Sequence, residues 1–161
     1  MTGYRTTSAT ATRALAAALA PLARTGDLLL LVGDLGAGKT AFAQGFASGL
    51  GIDEAVTSPT FTLARSYEGR LQMNHLDVYR LENVGEAEDL GLGEMLEDGV
   101  TLIEWGDTIA PALPADYLEL RFGFVDGEGD DERTLTVRIV GPSWSARLRT
   151  LTDALGPWAE G

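Results

Sequence analysis

Cysteine is absent from the 161 residues, and histidine and lysine each occur once, as His75 and Lys39. Without cysteine there is no disulfide framework, no thiolate metal site and no cysteine nucleophile. A single imidazole excludes zinc sites built on two or three histidines. Positive charge is also scarce. Twelve basic residues face 24 acids, a formal net charge of −12. A broad nucleic-acid-binding face needs clustered Lys and Arg, so tight binding to a phosphate backbone is not expected, and a partner protein with a basic face suits the chain better. No apolar run approaches the roughly 18–20 residues of a membrane span, and no membrane partner is expected. Ala14–Ala23, behind Arg13, has a faint likeness to a signal-peptide core. Its small residues and the strand-like run that begins at Asp27 fit an amphipathic helix better, and the expected compartment is the cytoplasm.

What is present describes a globular protein, with 45% apolar and 22% charged residues. The chain reads as one domain over residues 1–161, without repeat or linker. Ser8 to Ala23 is predicted to be a helix, with Leu15, Leu19 and Leu22 on one stripe. Leu28–Val32 is a continuous apolar run between turn signals, as in a strand buried on both faces. Lys39–Leu50 returns to helical spacing, with Phe42, Phe46 and Leu50 aligned. Strands are predicted from the alternation over Phe61–Tyr67, over Leu71–Val78, at Val100–Ile103 ending at Glu104, and at Tyr117–Val125 and Leu135–Val140. The acidic stretch Glu82–Leu96 is helical in patches, Asp126–Asp131 is a solvated turn, and Pro142–Leu155 is a closing helix carrying Trp144 and Leu148. Buried strands alternating with helices give an α/β fold, and the hairpin-like pairs add antiparallel strands to a mixed sheet.

Between the first buried strand and the second helix stands Gly33-Asp34-Leu35-Gly36-Ala37-Gly38-Lys39-Thr40, which fits G-x-x-x-x-G-K-[ST]. Its glycines let backbone amides approach a phosphate, and consecutive N–H groups form an anion-binding concavity. Lys39 is expected on the β- and γ-phosphates and the Thr40 hydroxyl on Mg²⁺. The sole lysine of the chain falls where the motif needs one. A guanine-reading Asn-Lys-x-Asp is impossible without a second lysine, so ATP is the expected nucleotide. Asp77 and Glu104 end two predicted strands, where α/β sheets gather their ligands. They are the candidate carboxylates for metal and water. The hydroxyls of Thr57-Ser58-Pro59-Thr60 either touch metal or γ-phosphate or serve only a turn entering a strand. Alternation puts His75 on the face of Asp77, either to position that carboxylate or as a core histidine.

Four blocks together resemble the TsaE family, bacterial ATPases of the tRNA threonylcarbamoyladenosine pathway: Gly33–Thr40, Thr57–Leu63, His75–Leu81 and Ile103–Trp105. The resemblance runs from about residue 8 to 140. It implies a P-loop NTPase-like, three-layer α/β domain that hydrolyses ATP with Mg²⁺ and acts with the transferase subunits TsaB and TsaD. It implies Thr40 and Glu104 as Mg²⁺ ligands, Asp77 as the catalytic carboxylate and Trp105 beside the site. It further implies Ser8 and Thr12 as the adenine-side segment and Arg133 near the nucleotide; among the Thr57–Thr60 hydroxyls, Thr60 is the candidate nucleotide contact. Ala11 stands where the family often has Glu, and Gly106-Asp107 is a variant of the family's continuation after Glu-Trp. With its acidic charge, the chain alone is not expected to bind tRNA strongly. Two other functions fit a phosphate loop. A small-molecule kinase needs an arginine-bearing lid, and no arginine lies between residues 82 and 99. A nucleotide-dependent scaffold would bind ATP with little turnover.

Overall fold

The apolar run Leu28–Val32 forms β2, the middle strand of a seven-stranded sheet in the computed structural model. The structure describes residues 2–33, 38–56, 64–77, 92–104, 114, 116–124 and 132–160. All five β2 residues are buried, which is why the run lacks the alternation of a half-exposed strand. In chain order the other elements are β1 (Thr2–Thr6), α1 (Ala9–Leu19), α2 (Lys39–Gly49), β3 (Ala64–Glu68), β4 (Gln72–Asp77), α3 (Leu92–Asp98), β5 (Gly99–Glu104), β6 (Tyr117–Phe124), β7 (Arg133–Val140), α4 (Pro142–Ser145) and α5 (Leu148–Leu155). Short 3₁₀ turns follow α1 at Ala20–Leu22 and α5 at Gly156–Trp158.

The sheet order is β1-β7-β6-β2-β5-β4-β3. The central strands β6, β2, β5 and β4 are parallel, whereas β1–β7, β7–β6 and β3–β4 are antiparallel. The mixed sheet read from the hairpin signals is therefore present. Parallel pairing brings the carboxyl ends of β2, β4 and β5 to one end of the sheet.

One face of the sheet carries the main core. Leu29, Leu31, Met73 and Leu102 point there and join Leu15 and Leu19 of α1 with Phe42 and Phe46 of α2. The two helices touch closely at Gly45. A Cβ there would stand 2.1 Å from the Arg13 carbonyl oxygen, so a larger residue would force them apart. Alternation turns Asn74 to the opposite face, where its amide donates to the Met95 carbonyl of α3 at 2.9 Å. Helices thus lie on both faces, as in a doubly covered α/β fold.

Several sequence boundaries shift. The first helix ends at Leu19 and tightens into a 3₁₀ turn, and Ser8 is its cap rather than its first turn. The closing helix is two helices, interrupted at Ala146–Arg147. Trp144 is buried, but Leu148 is 49% exposed and does not join the core. The Leu71–Val78 strand is Gln72–Asp77, and β7 begins two residues before Leu135. β1 was not expected from the sequence at all. Phe61–Leu63, most of the acidic stretch and the turn Asp126–Asp131 lie outside the described residues.

Candidate functional site

Gly33 leaves β2 with φ 150° against the neighbouring strand β6. A Cβ at this position would lie 2.8 Å from the Phe122 carbonyl oxygen, so a side chain has no room. Gly38 re-enters with φ 107° as the N-cap of α2, and only glycine adopts that conformation without strain. A Cβ on Gly38 would be 3.7 Å from the Phe122 ring and 3.9 Å from Cγ of Arg133. The two ends of the loop are therefore gathered on one residue of β6, with the Arg133 stem beside them. Asp34, Leu35, Gly36 and Ala37 lie outside the described residues.

The start of α2 has no side-chain cap and no acidic residue in its first turn. The N–H groups of its first turn and its positive dipole end favour an anion. Lys39, the first helical residue, is 4% exposed, and its ammonium donates to the Gly33 carbonyl oxygen, closing across the loop. Thr40 follows in the same turn.

The sheet end beside this loop carries two carboxylates. Glu104 is the last residue of β5 and pairs in register with Leu31 of β2, two positions before Gly33. On its other side Glu104 is opposite Asp77, the last residue of β4. Neighbouring strands lie about 4.8 Å apart, so the register sets Leu31, Glu104 and Asp77 in one row. For Asp77 only this strand position is described. Glu104 is 4% exposed, and its Oε2 lies 2.6 Å from Nε2 of His75, which is fully buried. Within the described part of the molecule, the histidine thus serves Glu104 across the strands.

The residues implied on the adenine side form a second group. Ser8 Oγ accepts from the Ala11 amide at 3.0 Å and caps α1. Thr12 is buried, with its hydroxyl 2.7 Å from that of Thr6 and 3.2 Å from the Ser8 carbonyl. Thr6 pairs in register with Arg133, the first residue of β7. The Arg133 guanidinium lies 4.6 Å from the centre of the Phe124 ring, and its Nη1 donates to the Glu132 carbonyl. Ser8, Thr12 and Arg133 thus share one neighbourhood, which Arg133 joins to Gly38. The hydroxyls of Ser8 and Thr12 have intramolecular partners, so α1 itself accounts for both residue types. Thr60, with Thr57 to Pro59, and Trp105 lie outside the described residues. Sequence reasoning missed Phe122, which seats both loop glycines and gives no local signal of doing so.

Among the described residues no three His, Cys, Asp or Glu side chains cluster as a metal site, and no helix is long and apolar enough to cross a membrane. A glycine-seated loop from the middle parallel strand into an uncapped helix, within this mixed sheet, defines a P-loop NTPase-like fold. The solved structure of Bacillus subtilis YdiB has the same architecture, with a TM-score of 0.77 and 39% identity over 96% of this chain and 93% of that one. The family described as "Threonylcarbamoyl adenosine biosynthesis protein TsaE" matches residues 6–134. The tRNA threonylcarbamoyladenosine biosynthesis protein TsaE of Bacillus subtilis is 47% identical over 140 residues, 86% of this chain and 85% of the relative. The protein of that name from Streptomyces coelicolor is 44% identical over 138 residues, 83% of this chain and 93% of the relative. The chain belongs to the TsaE family, the proteins of threonylcarbamoyl adenosine biosynthesis.

Proposed function

We propose that the chain is a Mg²⁺-dependent ATPase of tRNA threonylcarbamoyladenosine formation, acting as one P-loop domain in the cytoplasm with the TsaB–TsaD transferase pair. The observation that carries this reading is Lys39 and Thr40 opening an uncapped helix directly after β2, with Glu104 ending the adjacent strand. The donor set fits the proposed ligands. Mg²⁺ keeps several waters and takes one or two protein oxygens beside the substrate phosphates, which Thr40 and Glu104 would supply without a larger cluster. A buried carboxylate also gains from a cation nearby.

In this reading Lys39 exchanges its loop carbonyl for β- and γ-phosphate oxygens, and the amides of the loop and of the first turn of α2 hold the same groups. Thr40 and Glu104 would hold Mg²⁺, which would offset the charge of the phosphates. Asp77, on the strand next to Glu104, orients the attacking water. Arg133, with its stem against Gly38, and the Ser8–Thr12 segment belong to the nucleoside side. Trp105 follows Glu104 directly in sequence and is assigned beside the site on family resemblance, and Thr60 near the phosphates on its place in the hydroxyl-rich segment after α2.

Turnover is expected to be weak alone and raised by the partners, because the chain's part is to drive or reset the assembly. The test is ADP release by the chain alone and with TsaB and TsaD, alongside a screen for phosphorylated small molecules. Mg²⁺-dependent ADP release that rises with the partners is the expected result. A phosphorylated acceptor appearing with the ADP would assign a kinase, and absence of ADP in every mixture would assign a scaffold.

A further inference from the structure

His75 sits two register positions below the row of carboxylates. It pairs with Leu102 on β5, while Glu104 is opposite Asp77. From there its Nε2 reaches diagonally to Oε2 of Glu104 at 2.6 Å. His75 is fully buried and Glu104 is 4% exposed. Among the described residues His75 is the one hydrogen-bond partner of this carboxylate. An ionised carboxylate only accepts, so Nε2 carries a proton and donates it to Oε2.

A buried carboxylate that meets one hydrogen-bond donor among the described residues takes its orientation from that donor. We propose that His75 is a positioning residue, whose Nε2–H fixes the Glu104 carboxylate so that it presents a set oxygen to a divalent cation at the end of β5. This inference rests on the Mg²⁺–nucleotide reading of the site.

The probe is Mn²⁺ with a non-hydrolysable ATP analogue, followed by electron paramagnetic resonance, so that no turnover is needed. Three variants are compared with the native chain. His75→Leu removes the donor. His75→Asn keeps an amide near the Nδ1 position, short of Glu104. His75→Gln carries an amide nitrogen about as far out as Nε2. Thermal melting of the metal-free proteins reports folding, and the Asn–Gln comparison carries the test if His75→Leu does not fold. The expected result is Mn²⁺ affinity weakened about tenfold or more in His75→Leu and His75→Asn, with His75→Gln within about threefold of native. Binding of the analogue without metal should be the same in all. Equal Mn²⁺ affinity in all four proteins would overturn the positioning role. So would equal weakening in all three variants, which would mark a structural histidine. A native chain that binds no Mn²⁺ with the analogue would instead bring down the nucleotide reading itself, and the positioning role with it.

Discussion

Lys39 and Glu104 are both nearly excluded from solvent; Lys39 opens the helix that follows β2, and Glu104 ends β5, the strand paired with β2. The Lys39 ammonium donates to the Gly33 carbonyl, and in the proposed reading a phosphate is its stronger acceptor. Glu104 and Asp77 share a register row, and the proposed reading gives them different roles. Glu104 is buried and held by His75, which suits a metal ligand whose geometry must not vary. Asp77 closes the next strand and is assigned to water. Glu104→Ala should therefore raise the Mg²⁺ concentration needed for half-maximal turnover by about tenfold or more. Asp77→Ala should leave the Mg²⁺ requirement near native and lower turnover by about 100-fold. Magnesium titrations of turnover in both variants check this, and the opposite pattern would exchange the two roles.

The elements are held in place by contacts far apart in sequence, which decides what the sequence could reveal. Leu28–Val32 and the glycine loop were legible because each is a local signal: an unbroken apolar run, then fixed spacing around Lys39. The stripes Leu15–Leu19–Leu22 and Phe42–Phe46–Leu50 were legible for the same reason; all are buried except Leu22, which falls in the 3₁₀ turn and is partly buried. β1 was not, because Thr2–Thr6 has no apolar pattern and becomes a strand only by pairing with β7. The partner of His75 was not legible either. Same-strand alternation points to Asp77, whereas Glu104 comes into reach only through the β4–β5 register. The split of the closing helix has a distant cause as well. Arg147 leaves helical geometry and its two terminal nitrogens grip Asp27 at 2.6 and 2.7 Å, 120 residues away. The pair is buried, and the guanidinium also stacks on Trp144 and donates to the Leu22 carbonyl. This bridge ties α4 and α5 to the entry of β2. Arg147→Met should cost about 3–5 kcal/mol, because it strands a buried carboxylate. Adding Asp27→Asn should recover part of that loss. Urea unfolding of both variants measures the difference, and a single variant as stable as native would deny the clamp.

At the scale of the whole molecule, the charge of −12 dominates. Eleven arginines are present, yet several are committed to internal pairs, including Arg147 with Asp27, Arg138 with Glu119 and Arg5 with Glu132. The chain alone should not bind tRNA with the steep salt dependence of phosphate contacts, and in the proposed reading its contribution to tRNA modification runs through protein partners. Fluorescence anisotropy of labelled tRNA between about 50 and 200 mM salt tests this; tight binding that collapses as salt rises would contradict it. ATP should change the affinity for the TsaB–TsaD pair only if it binds the free and assembled forms unequally.

The central claim is that the loop from β2 into α2 holds ATP through Lys39. Calorimetric titration of ATP with Mg²⁺ into the native chain and into Lys39→Ala tests it most directly, with melting curves showing that both are folded. The account predicts saturable binding by the native chain and a loss of affinity of at least about 100-fold, roughly 2.7 kcal/mol, in the variant. Undiminished ATP binding by a folded Lys39→Ala chain would contradict it.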